Sequence, residues 1–249
     1  MIEFLPWDSQ FFGRRIGRLS RAPQAAPEWQ IILEEARSQS LDCIYLLLDA
    51  DDAAGIRSAQ CAGFQMVDIR MTLVRELHGE LQPFVTIPPG AILRRADEKD
   101  LPALQAIARL SHTDTRFFAD PHFDPARSAE MYAVWIAKSL PSKASLEDPS
   151  GVVWIPEIDT QPCGYLTCRL EDDLGQIGLV GITQQARGQG LGLALLQTAL
   201  DWFQAAGARR VQVVTQGRNL PALHLYQRGG FEIEKVQLWF HKWFIAEAR

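Results

Sequence analysis

The chain has 249 residues, 47% of them apolar, with 25 lysines and arginines against 30 aspartates and glutamates and a formal net charge of −5. That is enough apolar material for the core of one large domain or two small ones, and it excludes intrinsic disorder. The acidic balance argues against a surface built to neutralise nucleic-acid phosphates. The start, Met1-Ile2-Glu3-Phe4-Leu5-Pro6-Trp7-Asp8, has no basic segment followed by an apolar run, so it does not read as a secretion signal. No stretch of about 18 uninterrupted apolar residues predicts a membrane span. Cys43 and Cys61 sit in apolar runs and Cys163 and Cys168 flank Gly-Tyr-Leu-Thr, spacings that match no zinc-ligand pair. A cytoplasmic protein with reduced thiols and no metal is expected.

Along the chain, Ile44-Tyr45-Leu46-Leu47 reads as a strand, followed by a helix, Gly63-Phe64 and a second strand holding Ile69 and Met71. The Pro-containing stretch His78 to Gly90 then marks a boundary, predicting a smaller segment over 1–88 and a larger one over 89–249. In the second, Ala91 to Ala96 reads as a strand, Asp97 as an N-cap, and Leu101 to Leu110 as a helix by its apolar spacing. Strands follow at Val152 to Ile155, Gly164 to Leu170 and Gln176 to Thr183. A long helix is predicted from Gly190 to Ala206, with Leu191, Leu195, Ala199 and Trp202 on one stripe and Gly207 closing it. Val211 to Thr215 reads as a strand, Pro221 to Arg228 as a short helix, and Phe231 to Trp239 as a last strand. The fold class expected is α/β with a mixed sheet.

A faint internal repeat is present. Pairing Gly63-Phe64 with Gly230-Phe231, 167 residues later, sets Ile44-Tyr45-Leu46-Leu47 on Val211-Gln212-Val213-Val214, Ile69 on Val236 and Met71 on Leu238. Ala59 then stands where the second copy has Tyr226. On this reading the first segment is a worn copy without chemistry.

The most informative run is Arg187-Gly188-Gln189-Gly190-Leu191-Gly192, between a strand and the long helix. Glycines let a backbone approach a ligand closely, and a helix start offers unpaired N–H groups and the positive end of the dipole, a place suited to phosphate. A P-loop fails because no Lys follows the glycines, and a dinucleotide fold fails because its third glycine falls on Leu193 and no carboxylate ends the next strand. A glycine-rich turn without a ligand is the remaining alternative, weakened by the folding cost of glycines in a helix start.

Arg187-x-x-Gly190-x-Gly192 resembles the Gln/Arg-x-x-Gly-x-Gly/Ala signature of the GNAT (GCN5-related) N-acetyltransferases, and Asn219 to Phe231 resembles their second signature, Asn-x-x-Ala-x-x-x-Tyr-x-x-x-Gly-Phe. The likeness covers residues 91 to 243. It implies the GNAT acyl-CoA N-acyltransferase fold in 89–249, preceded by a smaller degenerate GNAT-like half, and acetyl-CoA as cosubstrate. Outside those motifs, Trp7-Asp8-Ser9-Gln10-Phe11-Phe12-Gly13, Ser111 to Phe123 and Met131 to Ile136 look like the dTDP-fucosamine acetyltransferases, which acetylate the 4-amino group of a nucleotide-linked 4-amino-4,6-dideoxy sugar.

The resemblance implies that backbone groups of Arg187, Gly188, Gln189, Gly190, Leu191 and Gly192 hold the pyrophosphate, and that Val180, Gly181 and Ile182, on a splayed strand, bond the pantetheine arm as another strand would. Tyr226 is implied as the general acid for the departing thiolate, although a tyrosine on a short helix is often a packing residue. Asn219 is implied in arm binding, with helix capping as its alternative. For the base, Glu171, Asp172, Asp173, His112, Asp114 and a water chain all stay open. Arg116 is the candidate for a sugar diphosphate, with Phe117, Phe123 and Tyr132 as aromatic walls; a surface salt bridge and core packing are the competing readings. The apolar last strand, Val236 to Phe240, suggests a homodimer or a contact between halves. The function expected is acetyl transfer to a small amine; the alternatives are another amine (a protein N-terminus, an amino acid or a drug) and a non-catalytic CoA-binding module.

Overall fold

The computed structural model describes residues 2–79, 83, 85–140 and 151–244, so residues 80–82 and 84 of the expected boundary stretch lie outside it. The chain forms two compact units that interleave: Met1–Met71, Thr115–Asp124 and Lys235–Arg249 make the first, Thr72–Asp114 and Pro125–Glu234 the second. This differs from the sequential division at 1–88 and 89–249. The cause is two long strands, β4 (Gln65–Glu76) and β11 (Glu232–Trp243), each of which begins in one unit and ends in the other.

In the first unit the strand order is β1 (Ile2–Phe4), β2 (Ile16–Leu19), β3 (Cys43–Asp49), β11, β4. β1 runs antiparallel to β2, β2 parallel to β3, and β11 antiparallel to β3 from Gln237↔Asp49 to Trp243↔Cys43. The apolar last strand is thus spent on β3. Helix α1 (Pro6–Phe12) follows β1 and the short α5 (Arg116–Ala119) lies in the Thr115–Asp124 segment, while α2 (Ala26–Ser38) and α3 (Ala53–Cys61) contribute Trp29, Ala36 and Ala59 to a core with Ile44, Leu46, Phe64 and Phe240.

In the second unit the order is β4, β10 (Arg210–Gln216), β9 (Leu174–Ile182), β8 (Gly164–Glu171), β6 (Gly151–Ile158), β5 (Ala91–Arg95), with the short β7 (Gln161–Pro162) beside β6. The end of β4 is tied here by Leu77 N–H to Arg209 C=O at 2.8 Å and by Glu76 to Arg210 at 3.6 Å. Helices α4 (Leu101–Ser111) and α6 (Pro125–Ser139) pack together. Arg94 fixes the start of α4 with a bidentate grip on Asp100, 2.8 Å on both oxygens, and a third bond to Glu157. Helix α7 (Leu191–Ala205) is buried along most of its length, and Gly207 ends it with φ +91°, the left-handed conformation expected after a helix.

The internal repeat is exact in its element boundaries. β3, α3 and β4 recur 167 residues later as β10, α8 (Leu220–Arg228) and β11, with the same first and last positions. The caps recur too: Asp52 accepts from Gly55 N–H and Asn219 from Ala222 N–H, and Gly63 and Gly230 turn each chain with φ of +83° and +74°. The repeat partners Arg70 and Gln237 bond each other side chain to side chain at 2.8 Å. The strand that precedes each copy differs. β2 ends at Leu19, paired with Leu46, whereas β9 runs on beyond Ile177, paired with Val213, through Gly178 to Ile182.

A fragment starting at residue 89 lacks β3, the partner of β11, and the end of β4, the partner of β10, so it exposes two unpaired strand edges. It is expected to aggregate or to lose cooperative melting when followed by circular dichroism. A sharp melt near that of the whole chain would contradict the exchange of strands.

Candidate functional site

The site begins where β9 leaves β10. Their parallel ladder stops at Val213↔Ile177, although β9 continues to Ile182 and β10 to Gln216. At that point the register of β8 against β9 also shifts: Leu166 faces Val180 and Cys168 faces Ile177, so Gly178 and Leu179 together oppose Thr167. Such a bulge bends a strand and re-aims its backbone groups. Thr167 Oγ1 holds it by accepting from Leu179 N–H at 2.8 Å, and a Cβ on Gly178 would stand 2.7 Å from that oxygen. Beyond the bulge, Val180, Gly181 and Ile182 pair with β8 on one side, leaving the β10 side of the strand without a ladder partner among the described residues. A Cβ on Gly181 would meet Tyr165 Cζ at 3.0 Å and Ser111 Oγ at 2.9 Å, so the strand lies flush against both.

At the end of β9 the chain turns through Arg187 to Gly190 into α7. Gly188 and Gly190 have φ of +77° and +83°, a region costly for residues with a Cβ. Among the described residues nothing lies within 4 Å of the Cβ position of Gly188. The N–H groups of Gly188, Gln189 and Gly190 have no backbone partner among the described residues, and the first turn of α7 adds its own unpaired donors. Arg187 Nε bonds Ile182 C=O at 3.2 Å, tying loop to strand. These residues fit an extended ligand carrying amides along one arm and a pyrophosphate at its end: opened strand for the arm, donor-rich loop for the anion. In the first unit, β2 stops where the gap would start, and the β2–α2 connection, residues 20–25, has no glycine.

Helix α8 rests on the start of α7, where the Cβ position of Gly192 is 3.5 Å from a Leu225 methyl. The next residue, Tyr226, is buried, packs near Phe231, and its hydroxyl has no hydrogen-bond partner among the described residues. Burial raises its phenol well above the ordinary value, so it stays protonated through neutral and alkaline pH. Asn219 caps α8 with Oδ1, at 3.1 Å from Ala222 N; only its amide N–H donors remain for a ligand.

The candidate acceptor residues fall into separate units. Arg116, Phe117 and Phe123 belong to the first, where Phe117 and Phe123 are buried and pack on Phe12 with centroids 5.2 and 4.7 Å away. This joins the two aromatic segments, Trp7 to Gly13 and Ser111 to Phe123, noted in the sequence. Tyr132 lies in the second, buried on α6 and stacked on His112 at 4.6 Å. His112 Nε2 and the Tyr165 hydroxyl are 2.7 Å apart, and burial lowers the imidazole to about 4. Glu171, Asp172 and Asp173 form the exposed β8–β9 turn, beyond the bulge and at the opposite end of the hairpin from Gly181. Their carboxylates are the solvated turn that a charge run usually is.

One constellation gave no signal in the sequence. Asp120 accepts from His241 Nδ1 at 2.6 Å, Trp243 Nε1 at 2.8 Å and His122 Nδ1 at 2.8 Å, through residues over a hundred positions apart in two cases. Burial raises its carboxyl, but these donors outweigh burial and hold it well below the usual carboxylate range. Burial lowers His241 to about 4 against the pull of Asp120.

Residues 107–231 match the profile of the Acetyltransferase (GNAT) family. The chain is 28% identical over 245 residues to a dTDP-fucosamine acetyltransferase of Escherichia coli O6:H1, covering 97% of each. It is 24% identical over 211 residues to the spore coat polysaccharide biosynthesis protein SpsD of Bacillus subtilis, covering 84% of this chain and 69% of that one. Its fold is similar to that of a tandem GNAT protein from the clavulanic acid biosynthesis pathway, with a TM-score of 0.62 at 15% identity over 94% of this chain and 77% of the other. Among the described residues no cluster of side chains is suited to a metal ion, and no helix is long and apolar enough to cross a membrane.

The two buried histidines set an acid limit on stability. The unfolded chain takes up a proton at each below about 6.5, while the folded chain does not until about 4. Stability is therefore expected to fall as pH drops from about 6.5 to 4, by on the order of a few kcal/mol in total. Scanning calorimetry at pH 7, 5.5 and 4.5 should give a descending melting temperature; a flat one would contradict the buried neutral imidazoles.

Proposed function

The chain belongs to the GNAT acetyltransferase family, and from that premise we propose that it transfers the acetyl group of acetyl-CoA to the 4-amino group of a nucleotide-linked 4-amino-4,6-dideoxy sugar. The observation that carries the cosubstrate is the parted β9 and β10 leading into a loop of positive-φ glycines with free N–H groups. Acetyl-CoA would lay its pantetheine arm along Val180, Gly181 and Ile182, with the Asn219 amide as a further donor, and its pyrophosphate on Arg187 to Gly192. The acceptor class rests on similarity to the dTDP-fucosamine acetyltransferase over nearly the whole of both chains, and on the sugar-polymer role in the name of the second relative.

In the reaction the acceptor nitrogen, as the free amine, attacks the thioester carbonyl carbon. The C–S bond breaks as the C–N bond is completed, and the thiolate takes the Tyr226 phenolic proton. A phenol raised by burial is fully loaded with its proton at working pH, and the same burial raises the basicity of a thiolate formed beside it. The amine gives up its own proton through water and Tyr226 regains one from solvent; the carboxylates of the β8–β9 turn are remote from Gly181 along the hairpin. The first unit, with alanine in place of the tyrosine and no strand gap, serves on this reading as a degenerate GNAT-like half that completes the fold.

Tyr226→Phe is expected to lower turnover by roughly 10²- to 10³-fold while leaving acetyl-CoA affinity within about threefold, read by thiol release and by calorimetry. Loss of acetyl-CoA binding with turnover per bound complex intact would remove the acid role. Thiol release with a dTDP-linked 4-amino sugar, and little with amino acids, peptides or aminoglycosides, is the outcome expected for the acceptor.

A further inference from the structure

The Thr115–Asp124 segment is folded around one guanidinium. Arg116 Cζ lies 4.1 Å from the centre of the Tyr45 ring, 4.1 Å from that of Trp239 and 4.4 Å from that of Phe117. These rings stabilise the cation and restrict its orientation. Its Nη1 is 3.1 Å from His241 Nε2. The hydrogen bonds assign the protons behind that contact: Asp120 is ionised, so His241 Nδ1 carries the hydrogen it donates to Asp120, and the neutral ring turns a lone pair at Nε2 toward Arg116. Trp243 Nε1, His122 N–H and His122 Nδ1 hold the other face of Asp120.

A guanidinium has five N–H donors. Among the described residues, Arg116 makes a hydrogen bond only to His241 and an ion pair with no carboxylate; Asp8 is near enough to feel its charge without bonding it. An arginine kept for structure alone is commonly saturated by carboxylates or carbonyls, as Arg94 is here. The side chain is partly exposed. Beside it, two buried hydroxyls, Tyr45 Oη on the ring under the guanidinium and Thr115 Oγ1 on the preceding residue, also have no hydrogen-bond partner among the described residues. Buried polar groups without partners are rare and need an explanation. A rigid fork of open donors with no carboxylate bonded to it matches the paired oxygens of a phosphoryl group.

We propose that Arg116 is the receptor for the diphosphate of the acceptor, and that Asp120 and His241 are positioning residues that fix its guanidinium. This rests on the reading of the acceptor as a nucleotide-linked sugar.

The test is titration of dTDP and of inorganic pyrophosphate, by calorimetry and by tryptophan fluorescence, which Trp239 should report. Arg116→Gln is expected to weaken both ligands by about 30-fold and Arg116→Lys, a point charge without the fork, by about 10-fold. His241→Phe should weaken dTDP by about fivefold, whereas His241→Asn, whose amide keeps the order of donor and acceptor, should retain most of the affinity; neither loss should extend to acetyl-CoA. Folded Arg116 variants that bind dTDP as tightly as wild type overturn the proposal, and if the Gln variant fails to fold the Lys variant decides. Arg116-dependent dTDP binding without acetylation of any sugar amine leaves the receptor standing and removes the proposed acceptor. Acetylation of the sugar amine with unchanged KM in the Arg116 variants does the reverse.

Discussion

The parting of two parallel strands is the constraint on which the proposed chemistry of this protein depends. A ladder that closed fully between β9 and β10 would use up the backbone groups of Val180 to Ile182. What keeps it open is local: Gly178 and Leu179 oppose a single residue of β8, and the Thr167 hydroxyl takes the Leu179 N–H displaced by that irregularity. A small side chain at Gly178 has no room beside that oxygen. The slot is therefore built from sequence choices at two positions, one on each strand, and the donor-rich loop follows directly at its end.

The comparison within the chain sharpens this. The β3–α3–β4 and β10–α8–β11 units share their boundaries, helix caps and left-handed glycines, so the same local instructions are written twice. The copies differ where function would require it. The strand before the first copy stops at Leu19, the connection after it has no glycine, and Ala59 fills the place of Tyr226. Loss of the slot, the loop and the phenol together is what release from a catalytic role would leave. The last strands pair outside their own copies, β11 with β3 and the end of β4 beside β10, so the first copy cannot be removed without exposing strand edges in the second.

Much of this was legible from the sequence, for reasons that lie in the residues. Amphipathic spacing and flanking glycines placed α4, α7, α8 and the longer second-unit strands within a few positions, because caps and left-handed turns are encoded locally, whereas α6 and β7 were not read. The repeat was visible through Gly63-Phe64 and Gly230-Phe231, which both need the same turn. Asn219 could not be assigned from sequence between capping and binding; its Oδ1 caps the helix. The exchange of strands was not legible, since β-pairing joins residues far apart and leaves no local mark. For the same reason the bond network linking Asp120 to His241 and Trp243 stayed hidden, and with it the fact that Arg116 is held between rings. Of the aromatic residues read as walls, Phe117 and Phe123 are buried in the first unit and Tyr132 in the second.

Calorimetric titration of acetyl-CoA into Thr167→Val reads the slot most directly. Valine keeps the shape of the side chain and removes only the oxygen that accepts from Leu179 N–H, a loss worth on the order of 1–2 kcal/mol in a buried setting. If the bulge holds the strands apart for the cosubstrate, affinity should fall by about tenfold in a protein that still melts cooperatively. Unchanged acetyl-CoA affinity, with or without a lower melting temperature, would contradict the view that this opening is where the cosubstrate binds.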